Sequence, residues 1–254
     1  MRFSLISAVW NRADTIADAI HSVQAQSHSD FEHLIQDGGS RDGTLERVRQ
    51  LADARTKIES ARDGGIYDAL NKGIARATGD VVGLLHSDDL FAHDRVLERI
   101  LEAFNTADID GVYGDLDYVT KDNPARIIRH WRAGPYNASR LRQGWMPPHP
   151  TLFLRRDVFE RQGVYDTSFR IAGDYEAMLR WMIRGKIRLG YIPEVLVKMR
   201  VGGESNRSIG RLLRKSAEDY RAIRRHQLGG FGVLLAKNLS KLPQFLVRDR
   251  RAAD

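Results

Sequence analysis

The feature that most constrains this chain is an alternation running through its first 115 residues. Apolar runs of strand length take turns with segments whose apolar residues recur every three or four positions. Residues 3–9 form the first such run. Residues 13–26 follow, with Ile16, Ile20 and Val23 at helical spacing. Residues 31–36 read as a second strand, and Leu45, Val48 and Leu51 mark the next helix face. Residues 57–61 make a weaker third strand, before Ile66, Leu70, Ile74 and Ala77 line another helix. Residues 80–85 are a strand of buried type. Asp94 stands where it can cap a helix carrying Val96, Leu97, Ile100, Leu101 and Phe104, and residues 111–114 open a further strand. This rhythm predicts an α/β fold, a mostly parallel sheet with helices on both faces. Sheets of that kind bind ligands outside the carboxyl ends of their strands. Asn11, Asp37, Asp63 and the pair Asp88–Asp89 all follow strand runs, so chemistry is expected there.

The second half is less regular. Residues 118–150 mix Trp131, Trp145, Pro147, Pro148, Pro150 and many basic side chains, and read as a loop-rich region holding one or two strands. A strand over 151–154, a short helix over 156–161, a helix over 174–183 and a strand within 189–201 follow. Residues 208–226 form a long basic amphipathic helix.

Composition enters mainly by exclusion. The chain has no cysteine, which removes disulfides, thiolate metal sites and cysteine nucleophiles. No run reaches the roughly 18–20 apolar residues of a membrane-spanning helix, and residues 1–7 hold too short an apolar core for a signal peptide. A cytoplasmic location is therefore expected. The net charge of +7 favours an anionic partner: a phosphorylated small molecule, a nucleic acid or an anionic membrane.

Four segments carry candidate chemistry. In His86-Ser87-Asp88-Asp89, adjacent carboxylates repel each other and call for a cation; Mg²⁺ or Mn²⁺ suits them, with diphosphate oxygens completing its shell. A solvated turn that caps a helix explains the same residues about as well. In Asp37-Gly38-Gly39-Ser40-Arg41-Asp42-Gly43-Thr44, the glycines admit a ligand close to the backbone and Asp37 offers acceptors to a nucleobase. A tight turn with Asp42 or Thr44 as helix cap is the plainer reading. Asp63-Gly64-Gly65 feeds a helix start, a place for phosphate or ribose. Asp174 opens a helix, where an ionised carboxylate can serve as general base, although acids at helix starts are commonly structural. Neither the G-x-G-x-x-G fingerprint nor the G-x-x-x-x-G-K-[ST] loop is present, which argues against dinucleotide and P-loop enzymes.

Taken in order, these segments resemble glycosyltransferase family 2, inverting enzymes of the GT-A fold. The likeness runs from about residue 3 to about residue 205, and Gly65 to Ile74 is most similar to bacterial enzymes of exopolysaccharide or colanic-acid-type synthesis. The resemblance implies a catalytic domain over 1–205, with a nucleotide-sugar half (1–115) and an acceptor and base half (116–205). A basic helical extension (206–254) would follow. It implies that Ala8 and Asp37 border the nucleobase with Asp63 nearby, and that Asn11 and His149 belong to the nucleotide-sugar set. Asp88 would contact ribose or metal, Asp89 would hold the divalent cation, and Asp174 would be the base. Three positions depart from the pattern. Gly38 replaces a second base-reading acid, His86 replaces the first acid of an Asp-x-Asp motif, and Gly173 replaces a glutamate before the base.

The implied partners are a nucleotide-sugar donor and a glycan or polyprenyl-linked acceptor. The basic tail, with Arg211, Arg214, Arg221 and Arg224 and apolar residues from Leu228 to Val247, suits either the inner face of a membrane or packing back on the catalytic domain. His149 suits a donor or acceptor pocket, a metal shell or a structural loop, and Trp131 and Trp145 suit sugar stacking or packing. Two other activities compete. A nucleic-acid module explains the charge but not the strand-end acids, and nucleic acid is not expected as a partner. A sugar nucleotidyltransferase shares the sheet and the metal but releases pyrophosphate.

Overall fold

The computed structural model describes residues 1–201 and 209–239. The parallel half assembles as the alternation predicts. Strands β1 (Phe3–Val9), β2 (Phe31–Asp37), β3 (Thr56–Ser60) and β4 (Val81–Leu84) are linked by helices α1 (Ile16–Gln24), α2 (Thr44–Leu51) and α3 (Ile66–Arg76). They lie in the order β3-β2-β1-β4 with parallel register, Val9 beside Asp37 and Asp37 beside Ser60. That register brings three strand ends to one edge of the sheet.

Beyond β4 the sheet becomes mixed in strand direction. The two-residue strand β5 (Leu90–Phe91) precedes helix α4 (Val96–Thr106), strands β6 (Gly111–Val119) and β7 (Ile127–Trp131), and the short helix α5 (Ala138–Leu141). A 3₁₀ turn (His149–Thr151), β8 (Phe153–Arg155), α6 (Arg156–Gln162), α7 (Gly173–Leu179) with a π-turn (Arg180–Arg184), and β9 (Leu189–Arg200) follow. β8 runs antiparallel between β4 and β6, β9 is parallel to β6, and β5 and β7 add antiparallel edges. The expected strand at 151–154 begins two residues late because His149–Thr151 closes a 3₁₀ turn, with the Leu152 amide donating to the His149 carbonyl.

Both faces are covered, which is why β1 and β2 are buried along their whole length. Phe3, Leu5 and Val9 pack with Ile16, Ile20, Val48 and Ile100 on one side. Ile6 and Ala8 pack with Leu70, Met178 and Leu179 on the other. The period of two within each strand divides these cores. Asp94 does not cap α4. No side chain caps its first residue, and the Gln26 side chain instead accepts from the Leu97 amide.

Helices α8 (Ile209–Arg225) and α9 (Phe231–Leu239) lie on the second core through Ala222, Ile223, Leu228, Val233 and Leu234. Lys237 of α9 is buried. Its ammonium pairs with Asp219 and sits 3.4 Å from the centre of the Tyr175 ring. Residues 202–208 and 240–254 lie outside the described residues.

Candidate active site

The β2 edge is built around Asp37, whose side chain is wholly enclosed. One carboxylate oxygen accepts from the amides of Gly39 and Ser40 and from the Ser60 hydroxyl, at 3.1, 3.1 and 2.6 Å. Asn11 works from the opposite side. It adopts φ 50, accepts from the Arg41 amide through its side chain and donates its own amide to Ser40 Oγ. Asp37, read as bordering the nucleobase, and Asn11, read as part of the nucleotide-sugar set, thus both fold the 38–44 loop. Asp42 accepts from Thr44 and steadies the helix start, and the glycine cap at 43 has φ 90. Ala8 lies beside this edge, nearly buried.

The acid that occupies the space at Gly38 is Asp63. A Cβ on residue 38 would stand 2.5 Å from Asp63 Oδ2, while Asp63 Oδ1 accepts from the Gly65 amide. The glycine that replaces the family's second acid therefore makes room for a carboxylate from another loop. Asp68 and Lys72 pin that loop to α3, and the Arg170 guanidinium bonds the Gly64 carbonyl.

At the end of β4, Asp88 is partly open and faces Arg12 at 3.9 Å. Asp89 is only 2% exposed and accepts from the Arg200 amide at 3.3 Å. Burial, with the neighbouring charge of Asp88 added, pushes its carboxyl well above the usual range. The Arg200 guanidinium is tied to the Asp88 and Lys121 carbonyls and to the Asp18 carboxylate. Arg12, Asp14, Thr15, Asp88, Lys121, Arg200 and Val201 line a hollow beside the turn. Among the described residues no third histidine or acid joins Asp88 and Asp89 in a metal-binding group. Two carboxylates, one of them buried with a single backbone donor, suit a hard cation whose other positions are filled by ligand oxygens and water.

Asp174 stands in the first turn of α7, with its side chain 22% exposed. Gly173 permits this placement. A Cβ there would meet the Tyr67 ring at 2.8 Å, and the Tyr67 hydroxyl reaches the Ile171 carbonyl and Asp174 Oδ1 at 2.8 and 3.2 Å. His149 Nδ1 lies 3.1 Å from Asp174 Oδ2, and His149 Nε2 lies 3.0 Å from His86 Nε2. Burial opposes charge on Asp174, yet His149, Lys237 and Lys215 together hold its carboxyl below the ordinary value. Desolvation, and after it His149, pushes the His86 imidazole down to about 4. His86 directly precedes the Ser87-Asp88-Asp89 turn, so the bonded line from Asp174 ends beside that turn.

Sequence reasoning missed several participants. Tyr67 reads as core by its helical spacing. Glu218 lies in the basic helix, and its carboxylate accepts from the amides of Arg170, Ile171 and Ala172 just before Asp174. Trp10, 62% exposed beside Asn11, is hidden at the end of an apolar run. Only its place next to a strand-end polar residue could have flagged it. Trp145 packs on Tyr113 and donates to the Ala133 carbonyl, and Trp131 stacks on Tyr118.

The model of the family described as glycosyl transferase family 2 matches residues 4–163. The chain belongs to glycosyl transferase family 2. An uncharacterised glycosyltransferase of Nostoc sp. is 34% identical over 81% of this chain and 66% of its own length, so the family 2 chain described here spans just under two thirds of that relative. A PGL/p-HBAD biosynthesis glycosyltransferase of Mycobacterium bovis is 29% identical over 80% of this chain and 79% of its own length. Among solved structures, S. aureus TarS 1-349 in complex with UDP-GlcNAc aligns with TM-score 0.69 at 18% identity, over 89% of this chain and 65% of that one. The mannosyltransferase PcManGT of Pyrobaculum calidifontis, in complex with GDP-Man and Mn2+, aligns with TM-score 0.68 at 19% identity, over 96% of this chain and 73% of that one. At such identities these two structures establish the shared GT-A architecture.

Proposed function

We propose that this family 2 chain is an inverting glycosyltransferase. It moves a sugar from a UDP- or GDP-linked donor to a hydroxyl of a glycan or lipid-linked acceptor, in bacterial surface polysaccharide or glycolipid synthesis. One observation carries the reading: Asp174, partly open and held ionised, is joined through His149 and His86 to the turn that bears Asp88 and Asp89. The names of relatives and neighbours, with UDP-GlcNAc in one and GDP-Man with Mn2+ in another, support the donor class.

In this reading Ala8 and Asp37 border the nucleobase, with Asp63 beside Gly38 facing it and Asn11 in the nucleotide-sugar set. Asp88 and Asp89 would hold a divalent cation, Mn²⁺ or Mg²⁺, which would supply positive charge against the departing diphosphate. Arg12, Lys121 and Arg200 add positive charge on the same side. Asp174 accepts the proton of the acceptor hydroxyl while that oxygen forms its bond to the anomeric carbon. The bond to the diphosphate breaks with its electron pair, so one displacement inverts the centre.

Residues 1–205 would form the catalytic domain, split near 115 into donor and acceptor halves, and 206–254 an extension that also meets the membrane face. No helix among the described residues is long and apolar enough to cross a membrane. Peripheral attachment at the cytoplasmic face is the form of contact proposed.

Thermal-shift screening against UDP- and GDP-sugars, with and without Mn²⁺, tests the reading. A donor far above its Kd stabilises the fold by about 3 kcal/mol. Asp174→Asn should keep that shift and lose transfer by on the order of 100-fold or more. No shift with any sugar nucleotide, or full transfer by the variant, refutes it; release of pyrophosphate in place of a nucleoside diphosphate would mark a nucleotidyltransferase.

A further inference from the structure

Asp174, His149 and His86 come from three separate elements, the start of α7, the 3₁₀ turn and the end of β4, yet their side chains form a continuous bonded line. The hydrogens on that line can be assigned. An ionised Asp174 only accepts, so His149 Nδ1 carries the hydrogen in their 3.1 Å contact. With its one ring hydrogen at Nδ1, His149 presents a bare Nε2, and the 3.0 Å contact is then filled by a hydrogen on His86 Nε2. On the other oxygen, the Tyr67 hydroxyl approaches to 3.2 Å. The single hydrogen of that hydroxyl is shared with the Ile171 carbonyl at 2.8 Å, so His149 is the side chain whose N–H is committed to the carboxylate.

We infer that His149 is a positioning residue for the base, orienting Asp174 through Nδ1–H, with His86 fixing the tautomer of His149 from behind. The inference rests on the reading of Asp174 as base. It also gives a reason for the histidine at position 86. Its Nε2 is committed to His149, so this position serves the base where an acid in the same place would face the donor side. Histidine is suited to position 149 because two ring nitrogens can bond in two directions at once, which no amide or carboxylate does with the same reach.

Other charged and titratable groups face this line. Lys215 and Lys237, from α8 and α9, favour the ionised form of Asp174. Tyr165 lies near Asp174, and the field of Asp88 reaches His86. These groups bias charge, whereas His149 places a ring nitrogen within 3.1 Å of an Asp174 carboxylate oxygen. A purely structural histidine would show itself through stability alone; a positioning histidine alters turnover.

Two measurements separate the possibilities. In the first, ¹⁵N-labelled imidazole resonances of the intact protein report tautomers without any substrate. His149 is expected as the Nδ1–H form and His86 as the Nε2–H form, and Asp174→Ala should return His149 toward the Nε2–H form. In the second, nucleoside diphosphate release is followed with the sugar nucleotide that the thermal-shift screen selects. His149→Ala should lower kcat on the order of 10- to 100-fold with donor KM within about twofold, since small misplacements of a catalytic group cost that much. Its acid limb should move to higher pH, because Asp174 loses a donor that favours its charge. His149→Asn, whose amide can still donate, should recover much of the loss. His86→Ala should act in the same direction, and adding it to His149→Ala should cost little more. A His149 Nε2–H tautomer in the wild type overturns the inference. So does wild-type kcat in His149→Ala, or a loss confined to donor KM. If the wild-type protein releases no nucleoside diphosphate, the glycosyltransferase reading fails, while the tautomer measurement still reports on the bonded line.

Discussion

At the scale of single residues, the interior of the sheet holds a titratable group that the chemistry does not use. His33 lies on β2, fully enclosed, with Nε2 3.0 Å from the Ser7 hydroxyl. That hydroxyl donates its hydrogen to the Leu85 carbonyl at 2.6 Å, so His33 must donate from Nε2 and keep Nδ1 bare. Nδ1 is buried and has no partner among the described residues. Protonating it would place an unpaired N–H and a charge in the core, and desolvation pushes the imidazole down to about 4. The sign follows. In the unfolded chain His33 binds its proton near pH 6.5, so stability is fully present above that value and falls as pH drops toward 4. The loss amounts to roughly 3 kcal/mol at full extent. Urea unfolding at pH 7, 5.5 and 4.5 should show it, and His33→Gln, which can still donate to Ser7, should flatten that part of the slope. An unchanged slope in the variant would assign the acid sensitivity to other groups.

At the scale of elements, the contrast between what was legible and what was not follows the nature of the contacts. Strands β1 to β4 and their helices declare themselves through local periodicity, and parallel pairing then places Asn11, Asp37, Asp63 and Asp88–Asp89 on one edge without further information. Asp174 was readable as a helix-start acid. His86, by contrast, gives no local sign of reaching His149, because 63 residues separate them. The part played by Gly38 depends on Asp63, and that of Gly173 on Tyr67; each glycine marks room for a side chain that the sequence places elsewhere. The same holds for α8, whose basic outer face masks Glu218. That carboxylate gathers three consecutive amides, from Arg170 at 3.1 Å, Ile171 at 2.8 Å and Ala172 at 2.9 Å, and so fixes the strand of chain that leads into α7. Charge-assisted bonds of this kind contribute roughly 1.5–3 kcal/mol each before non-additivity. Glu218→Ala should therefore lower the urea midpoint by an amount equivalent to about 2–4 kcal/mol. It should also cut turnover more than donor affinity, because Asp174 sits two residues beyond the last of these amides. A variant with the wild-type midpoint and wild-type turnover would show that α8 merely covers the core.

At the scale of the whole molecule, the positive charge and the exposed apolar residues fall together on the two C-terminal helices. Leu212 and Leu213 of α8 and Phe231, Leu235 and Leu239 of α9 are all at least half exposed, with Arg211, Arg214, Arg221 and Arg224 exposed near them. Leaving such side chains in water stabilises nothing, whereas an anionic bilayer surface offers both apolar depth and charge to them. Each basic residue near such a surface contributes about 1 kcal/mol, screened by salt within a Debye length of about 8 Å at physiological ionic strength. The opposite sides of the same helices carry Glu218, Asp219, Ile223 and Lys237 against the core around Asp174 and Tyr175. A surface that held α8 and α9 would therefore hold the base at a set height above it, which suits an acceptor embedded in the bilayer. Co-sedimentation with phosphatidylglycerol vesicles should exceed that with phosphatidylcholine vesicles by several-fold and fall sharply at 0.5 M salt. Leu213→Glu combined with Phe231→Glu should abolish it while the thermal-shift response to sugar nucleotide persists. Equal binding to neutral and anionic vesicles, or binding that survives the double substitution, would mean that these helices serve the fold alone.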